Sequence, residues 1–156
     1  PLVIGLNVQN PINNKLINFR AVCHTLRLLT DYKLFKKTSQ KIILPFKRLS
    51  KLTKSKLGRI KLLDFGLEVK SNTFKFYSSH AIIPNILAIS YTLAIANSGG
   101  AKKIYLAGFD GYEADDLRRI EMDQMLFLYQ SLDEKAELIS ITQKKYKIKS
   151  SSVYAL

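Results

Sequence analysis

Cysteine occurs once in these 156 residues, at position 23. A single thiol excludes an internal disulfide and suits a reducing compartment, so a cytoplasmic location is expected. Histidine is nearly as scarce. His24 and His80 stand far apart and, with Cys23, make no zinc-ligand spacing, so no metal is expected. Glycine and proline number only seven and four. Among them there is no Walker-type loop, no Gly-x-Gly-x-x-Gly and no Gly-x-Ser-x-Gly, which removes three common phosphate-binding and nucleophilic signatures. Long hydrophobic runs are also missing. The longest, residues 81–96, is broken by Pro84, Asn85 and Ser90 and falls short of the ~20 residues a membrane span needs. Residues 1–6 are apolar but lack the cationic flank and cleavage pattern of a secretory signal.

Acid is absent from one end of the chain. Residues 1–60 hold 13 Lys and Arg against one acid, Asp31, whereas residues 61–156 hold 12 bases and 11 acids. Of the net charge of +13, 13 − 1 = +12 therefore resides in the first 60 residues. Such a field favours anions: phosphates, nucleotides, nucleic acid or an anionic membrane surface. The rest of the composition is globular, 47% hydrophobic and 24% charged, and the length suits one domain, residues 1–156, with a full core. The chain begins at Pro1, which suggests a piece of a longer protein.

Hydrophobic periodicity predicts alternating strands and helices. Residues 2–6 read as a buried strand ending at Asn7, followed by turn chemistry over 10–14. Residues 20–24 read as a second strand, after which Thr25 caps a helical stretch carrying Leu26, Leu28 and Leu29. Residues 41–45 read as a third strand closed by Pro45. Residues 46–59 are basic and amphipathic, a surface helix. Segments 63–69 and 74–78 alternate with period two and are predicted to form a hairpin through 70–73. Residues 84–97, apolar nearly all round, predict a buried helix with Pro84 in its first turn and Gly99-Gly100 past its end. A strand over 103–107, a helix over about 115–131, a strand over 136–141 and an edge strand in 147–156 complete the pattern. The whole predicts an α/β, Rossmann-like three-layer domain with a mainly parallel sheet.

In open α/β sheets ligands sit beyond the carboxyl ends of the strands. The run KKIYLAGFDGYEADD at 102–116 passes from a strand into such an end. Gly108 and Gly111 let backbone approach a ligand or turn with positive φ. Asp110 can accept hydrogen bonds from ribose hydroxyls or an amine, and Tyr112 can donate to a phosphate. The plainer alternative is a turn in which Asp110 caps backbone amides. Asp115 or Asp116 is the natural cap of the next helix, where carboxylates meet the positive end of its dipole. Asn7, His24 and Thr25 end the first two strands and reach the same pocket if those strands are parallel neighbours. The acids at 110, 113, 115 and 116 do not fit a twelve-residue calcium loop. The basic stretch 46–59 contains one aromatic, Phe46. Base stacking is poorly served there, so a solvated cationic helix is read and no nucleic-acid partner is expected.

Five stretches carry a family resemblance: PLVIGLN (1–7), FRAVCHTLRLL (19–29), KLLDFGLEV (61–69), SGGAKKIYLAGFDGYEADDLRRIEMD (98–123) and YKIKSSSVYAL (146–156). They resemble the C-terminal Rossmann-like domain of HMG-CoA-lyase-type, aldolase-like proteins from bacterial surface-polysaccharide clusters. The resemblance implies an aldolase barrel with its divalent metal upstream of this chain, and a Gly-Pro-rich phosphate loop just before Pro1. A more distant likeness is to CMP-sialic-acid-dependent sialyltransferases and pterin-diphosphokinase-like domains. It implies that Asn7 and the His24–Thr25 corner contact nucleotide and that Tyr112 binds a leaving phosphate. Arg118 stands where a second phosphate-binding tyrosine is found in the sialyltransferases, and no histidine follows His80 to match their base. The expected ligand is a nucleotide or nucleotide-sugar, with no cofactor within the chain. The expected site comprises Asn7, His24, Thr25, Gly108, Asp110, Tyr112 and Arg118. Catalysis at that site by a transferase, and a docking or homo-oligomerising domain without catalysis, remain open alternatives.

Overall fold

A computed structural model describes residues 1–9, 12–58 and 60–155. The start of the 10–14 turn at Asn10 and Pro11, the end of the 46–59 stretch at Arg59 and Leu156 lie outside the described residues. The fold is α/β with mainly parallel, Rossmann-like strands, divided among three sheets. The first is fully parallel, in the order β1 (Ile4–Leu6), β2 (Phe19–Ala21), β3 (Lys41–Leu44), β4 (Leu62–Asp64). β3 is apolar and β-branched because both faces of the sheet are covered. On one face Val22, Ile42 and Leu44 pack with Leu28, Phe35 and Leu57. Those three come from the short helices α1 (Thr25–Thr30), α2 (Tyr32–Lys37) and α3 (Lys51–Leu57). On the other face Ala21 and Ile43 join a larger core with Tyr91, Leu93 and Ala94 of α4 (Ala88–Ser98).

The second sheet has the order β5 (Gly66–Val69), β7 (His80–Ile83), β6 (Lys75–Phe76). β5 and β7 are parallel, and β6 runs antiparallel to β7. This corrects the hairpin expected between 63–69 and 74–78. Residues 70–73 do turn tightly, with Thr73 N–H donating to the Lys70 carbonyl and Asn72 at φ +55. The returning strand, however, is displaced from β5 by the apolar β7, which inserts between them. β7 also takes residues that the apolar tract 81–96 hides from a periodicity reading. The buried helix therefore starts at Ala88, not Pro84: Leu87 is still extended at φ −106, ψ 134. Helix α2 has no counterpart among the sequence expectations. Thr25 is the first helical residue of α1 and His24 holds the cap position, with no side-chain bond to the helix.

The chain passes from one sheet to the next within two residues. Phe65 N–H donates to Leu44 O across the first sheet at 3.1 Å, and Gly66 N–H donates to Ser79 O at 2.8 Å in the second. A Cβ on Gly66 would lie 2.7 Å from the His80 Cβ, so only glycine allows the strands to approach at this point.

The third sheet is again fully parallel, in the order β10 (Lys149–Ser150), β9 (Glu137–Ser140), β8 (Lys103–Leu106). α5 (Leu117–Gln130) makes the crossover from β8 to β9. It buries Met122, Met125, Leu126 and Tyr129. Tyr129 Oη donates to the Ala136 carbonyl at 2.9 Å and accepts from Asn97 Nδ2 at 2.9 Å, which fixes α4, α5 and the start of β9 together. No helix among the described residues is long and apolar enough to cross a membrane.

Candidate functional site

The loop after β8 is built by glycine and held by a neighbouring loop. Gly108 lies at φ +67 and its N–H donates to Thr142 Oγ1 at 3.0 Å. Gly111 lies at φ +106, and a Cβ there would meet Lys145 Cβ and the Tyr146 ring at 3.0 Å. A side chain at 111 would thus be strained in backbone and in space. Lys145 N–H donates to the Asp110 carbonyl at 2.9 Å, and Tyr112 N–H donates to Tyr146 Oη at 3.1 Å. The Phe109 and Tyr146 rings pack with centroids 5.0 Å apart. Burial pushes the Tyr146 phenol above its ordinary pKa, so it stays neutral and available as a hydrogen-bonding group.

Two arginines at the start of α5 complete the corner. Arg119 donates to the Tyr112 carbonyl at 3.2 Å, to the Lys145 carbonyl at 2.7 Å and to Asp123 at 2.9 Å, with its guanidinium 4.8 Å from the centre of the Tyr146 ring. It staples the 108–112 loop to the 142–146 loop. Arg118 lies 4.4 Å over the Tyr112 ring and makes a two-pronged pair with Asp116. Asp116 also caps α5 by accepting from Arg118 N–H at 2.9 Å. The hydrogen bonds from Arg118 hold the Asp116 carboxyl below the usual carboxylate range.

The acids of this loop thus divide by task. Asp116 caps the helix, Glu113 pairs with Lys145 and Asp123 pairs with Arg119. The Asp110 carboxylate makes no hydrogen bond or ion pair among the described residues, so it is not the amide cap of the plainer alternative. It lines an open hollow of about 430 Å³ with Thr142, Gln143, Lys144, Lys145 and Ser150. These residues follow β8, follow β9 and end β10, so the hollow sits at the carboxyl edge of three parallel strands, the usual ligand position in such sheets.

Of the seven expected site residues, Gly108, Asp110, Tyr112 and Arg118 share this corner. Asn7, His24 and Thr25 lie at the carboxyl end of the first sheet. No hydrogen bond or ion pair among the described residues joins the two groups, and the hollow beside Asp110 is not lined by the first three. They meet only through the large core, against which Phe109 and Tyr112 pack and to which Cys23 belongs. Asn7 is distinctive in itself. It lies at φ +54, its N–H donates to the Ala21 carbonyl at 3.0 Å, and its Oδ1 is buried with no hydrogen-bond partner among the described residues. Strain and an unpaired buried acceptor at a strand end are features of ligand positions. His24 is half-buried and Thr25 exposed.

Sequence reasoning missed Thr142, Gln143, Lys144, Lys145, Tyr146 and Ser150. The signal was available, since 142–145 follow the strand predicted over 136–141 and fall under the same carboxyl-end rule as Asp110. Comparison of the chain with protein-family models, curated proteins and solved structures finds no match.

Proposed function

We propose that this domain binds a nucleotide or nucleotide-sugar at the carboxyl edge of β8–β10, as the accessory domain of an aldolase-like protein of surface-polysaccharide biosynthesis. The observation that carries the reading is the Asp110 hollow itself, set where three parallel strands end. Its groups suit a phosphorylated sugar. Lys144 Nζ donates to the Tyr146 carbonyl at 3.1 Å and has no carboxylate partner among the described residues, so it retains charge for a phosphate. Tyr112 and Arg118 offer a second donor pair at the margin, and the Asp110 carboxylate can accept from sugar hydroxyls. Calorimetric titration with CMP, CMP-sugars and other nucleotides tests the proposal. Saturable binding weakened by Asp110→Asn and Lys144→Gln is expected. Binding no tighter than millimolar for every nucleotide removes the reading.

One observation favours docking or self-association as a second reading. Leu117, Ile120 and Phe127 on α5 are 79%, 64% and 69% exposed, and their spacing puts them on one face of the helix. An apolar stripe of this kind is a recognised mark of an interaction surface. Light scattering of the chain and of its Ile120→Lys variant separates the readings: a wild-type dimer that the variant dissolves supports docking, and two monomers exclude self-association through α5.

A further inference from the structure

The opposite end of the first sheet holds a second hollow, of about 470 Å³, among the residues that lead into β2, β3 and β4. Its charged lining is Lys15, Lys41 and Lys61, with Asn14, Asn18 and Gln40 beside them and no acid. None of the three lysines takes part in an ion pair among the described residues. Lys41 opens β3, and the register Ile42↔Leu62, continued one residue back, sets Lys61, just before β4, across from it; Ile42 N–H donates to the Lys61 carbonyl at 2.9 Å. Adjacent strands lie ~4.8 Å apart, and like charges placed opposite each other destabilise a sheet.

Behind the hollow lies Arg20, only 1% exposed. Its guanidinium donates to the Asn7 carbonyl at 2.8 Å, to Asn14 Oδ1 and to Gln40 Oε1 at 3.4 Å. Asn14 and Gln40 are themselves lining residues, and Gln40 Nε2 also donates to the Asn14 carbonyl at 2.7 Å. Every partner of Arg20 among the described residues is neutral. Burial lowers its pKa, as expected of a cation withdrawn from water without a carboxylate to offset it. Buried charges are ordinarily paired. Three lysines therefore line one hollow with a fourth, buried cation behind it, and no acid is among the lining residues, in the most basic part of the chain.

We propose that this hollow is an anion site for the phosphate or diphosphate group of a small molecule. Arg20 acts through its fixed amides and its field, while Lys15, Lys41 and Lys61 contact the phosphate oxygens directly. The only aromatic of the lining is Phe19, so stacking of nucleic-acid bases is poorly served and a small phosphorylated ligand fits better than a strand. The site is separate from the Asp110 hollow, and neither proposal depends on the other.

Titration of the isotope-labelled chain with pyrophosphate at constant ionic strength, followed by NMR, tests the inference. Saturable shifts confined to residues 14–18, 39–41 and 61 are expected. Lys41→Glu/Lys61→Glu should weaken binding by at least about tenfold, since each lost charge-assisted contact is worth more than the ~1.4 kcal/mol of a tenfold change. A charge-matched control, Lys70→Glu/Lys75→Glu, should leave it unchanged. If the first double variant loses its fold by circular dichroism, Lys15→Glu, on the turn outside the sheet, carries the same expectation. Shifts that do not saturate, equal weakening by the control, or tighter binding of a DNA oligonucleotide than of pyrophosphate at the same residues would each overturn the proposal.

Discussion

The carboxyl edge of the third sheet and the amino edge of the first both collect cations, and they use them differently. At the carboxyl edge Arg118, Arg119 and Lys145 each have a carboxylate, and Arg119 adds two carbonyls. There most of the charge is held in pairs, and of the two lysines that line the Asp110 hollow only Lys144 has no carboxylate partner among the described residues. At the amino edge the three lysines have no acid partner among the described residues, and the buried Arg20 has only neutral ones there. The contrast shows that positive charge by itself does not distinguish a scaffold from a site. The pairing does.

The largest expected effect falls on Arg20. Arg20→Ala empties the space of a side chain only 1% exposed, at about 2–5 kcal/mol for a large buried side chain, and leaves the part-buried Asn7 carbonyl without this donor, at about 1–3 kcal/mol; Asn14 is exposed and Gln40 Oε1 keeps its bond from Thr38 Oγ1. Urea unfolding should register a loss of several kcal/mol; a loss under about 1 kcal/mol would mean that Arg20 is not the organiser of the amino edge. Next is Gly111→Ala, which forces a Cβ into the φ +106 conformation against Lys145 and Tyr146. It should destabilise by about 1–3 kcal/mol in thermal melts and shift the amide resonances of Tyr112 and Lys145.

Arg119→Ala should cost less globally, about 1–2 kcal/mol, but should loosen the two loops selectively. Hydrogen exchange at the Tyr112 and Lys145 amides should accelerate while that of β2 and β3 is unchanged. Uniform acceleration would mean that the two edges are not independent. The smallest effect concerns pH. The folded-state pKa of Asp116 is depressed, so its contribution is present above the ordinary value of 3.8 and is lost as pH falls through the lower folded value. Acidification should fray the first turn of α5, seen as loss of Arg118 amide protection. Asp116→Asn should abolish that pH-dependent step.

Much of the carboxyl edge is legible in the sequence because it is locally encoded. Apolar 103–107, glycines at 108 and 111 and the aspartate cap specify strand, loop and helix without reference to distant residues, and the helix begins within two residues of the expected position. The middle of the chain is less legible. Alternation over 63–69 and 74–78 signals two strands and the 70–73 turn joins them, but which strand lies beside which is decided by β7, a tertiary competitor that local pattern does not reveal. α2 is hidden for a similar reason: six residues with one fully buried side chain, Phe35, give no periodic signal. At the sites, Asp110 is legible from the rule about strand ends, whereas the Lys41–Lys61 pairing requires the register of β3 against β4. Lysine is ordinary in any one segment and becomes informative only when two of them face each other.

The hand-over at Phe65 and Gly66 has a mechanical consequence. Consecutive amides serve different sheets, so the segment cannot be released from one without slackening the other. Partial opening that frees β5 from β7 must pull on the Leu44 carbonyl, and through it on the strand whose first residue is Lys41. The first two sheets are therefore expected to exchange protons and unfold as a single cooperative block, while β8–β10, which shares no strand with them, is joined to that block through side chains, those of the common core and the Asn97–Tyr129 bond.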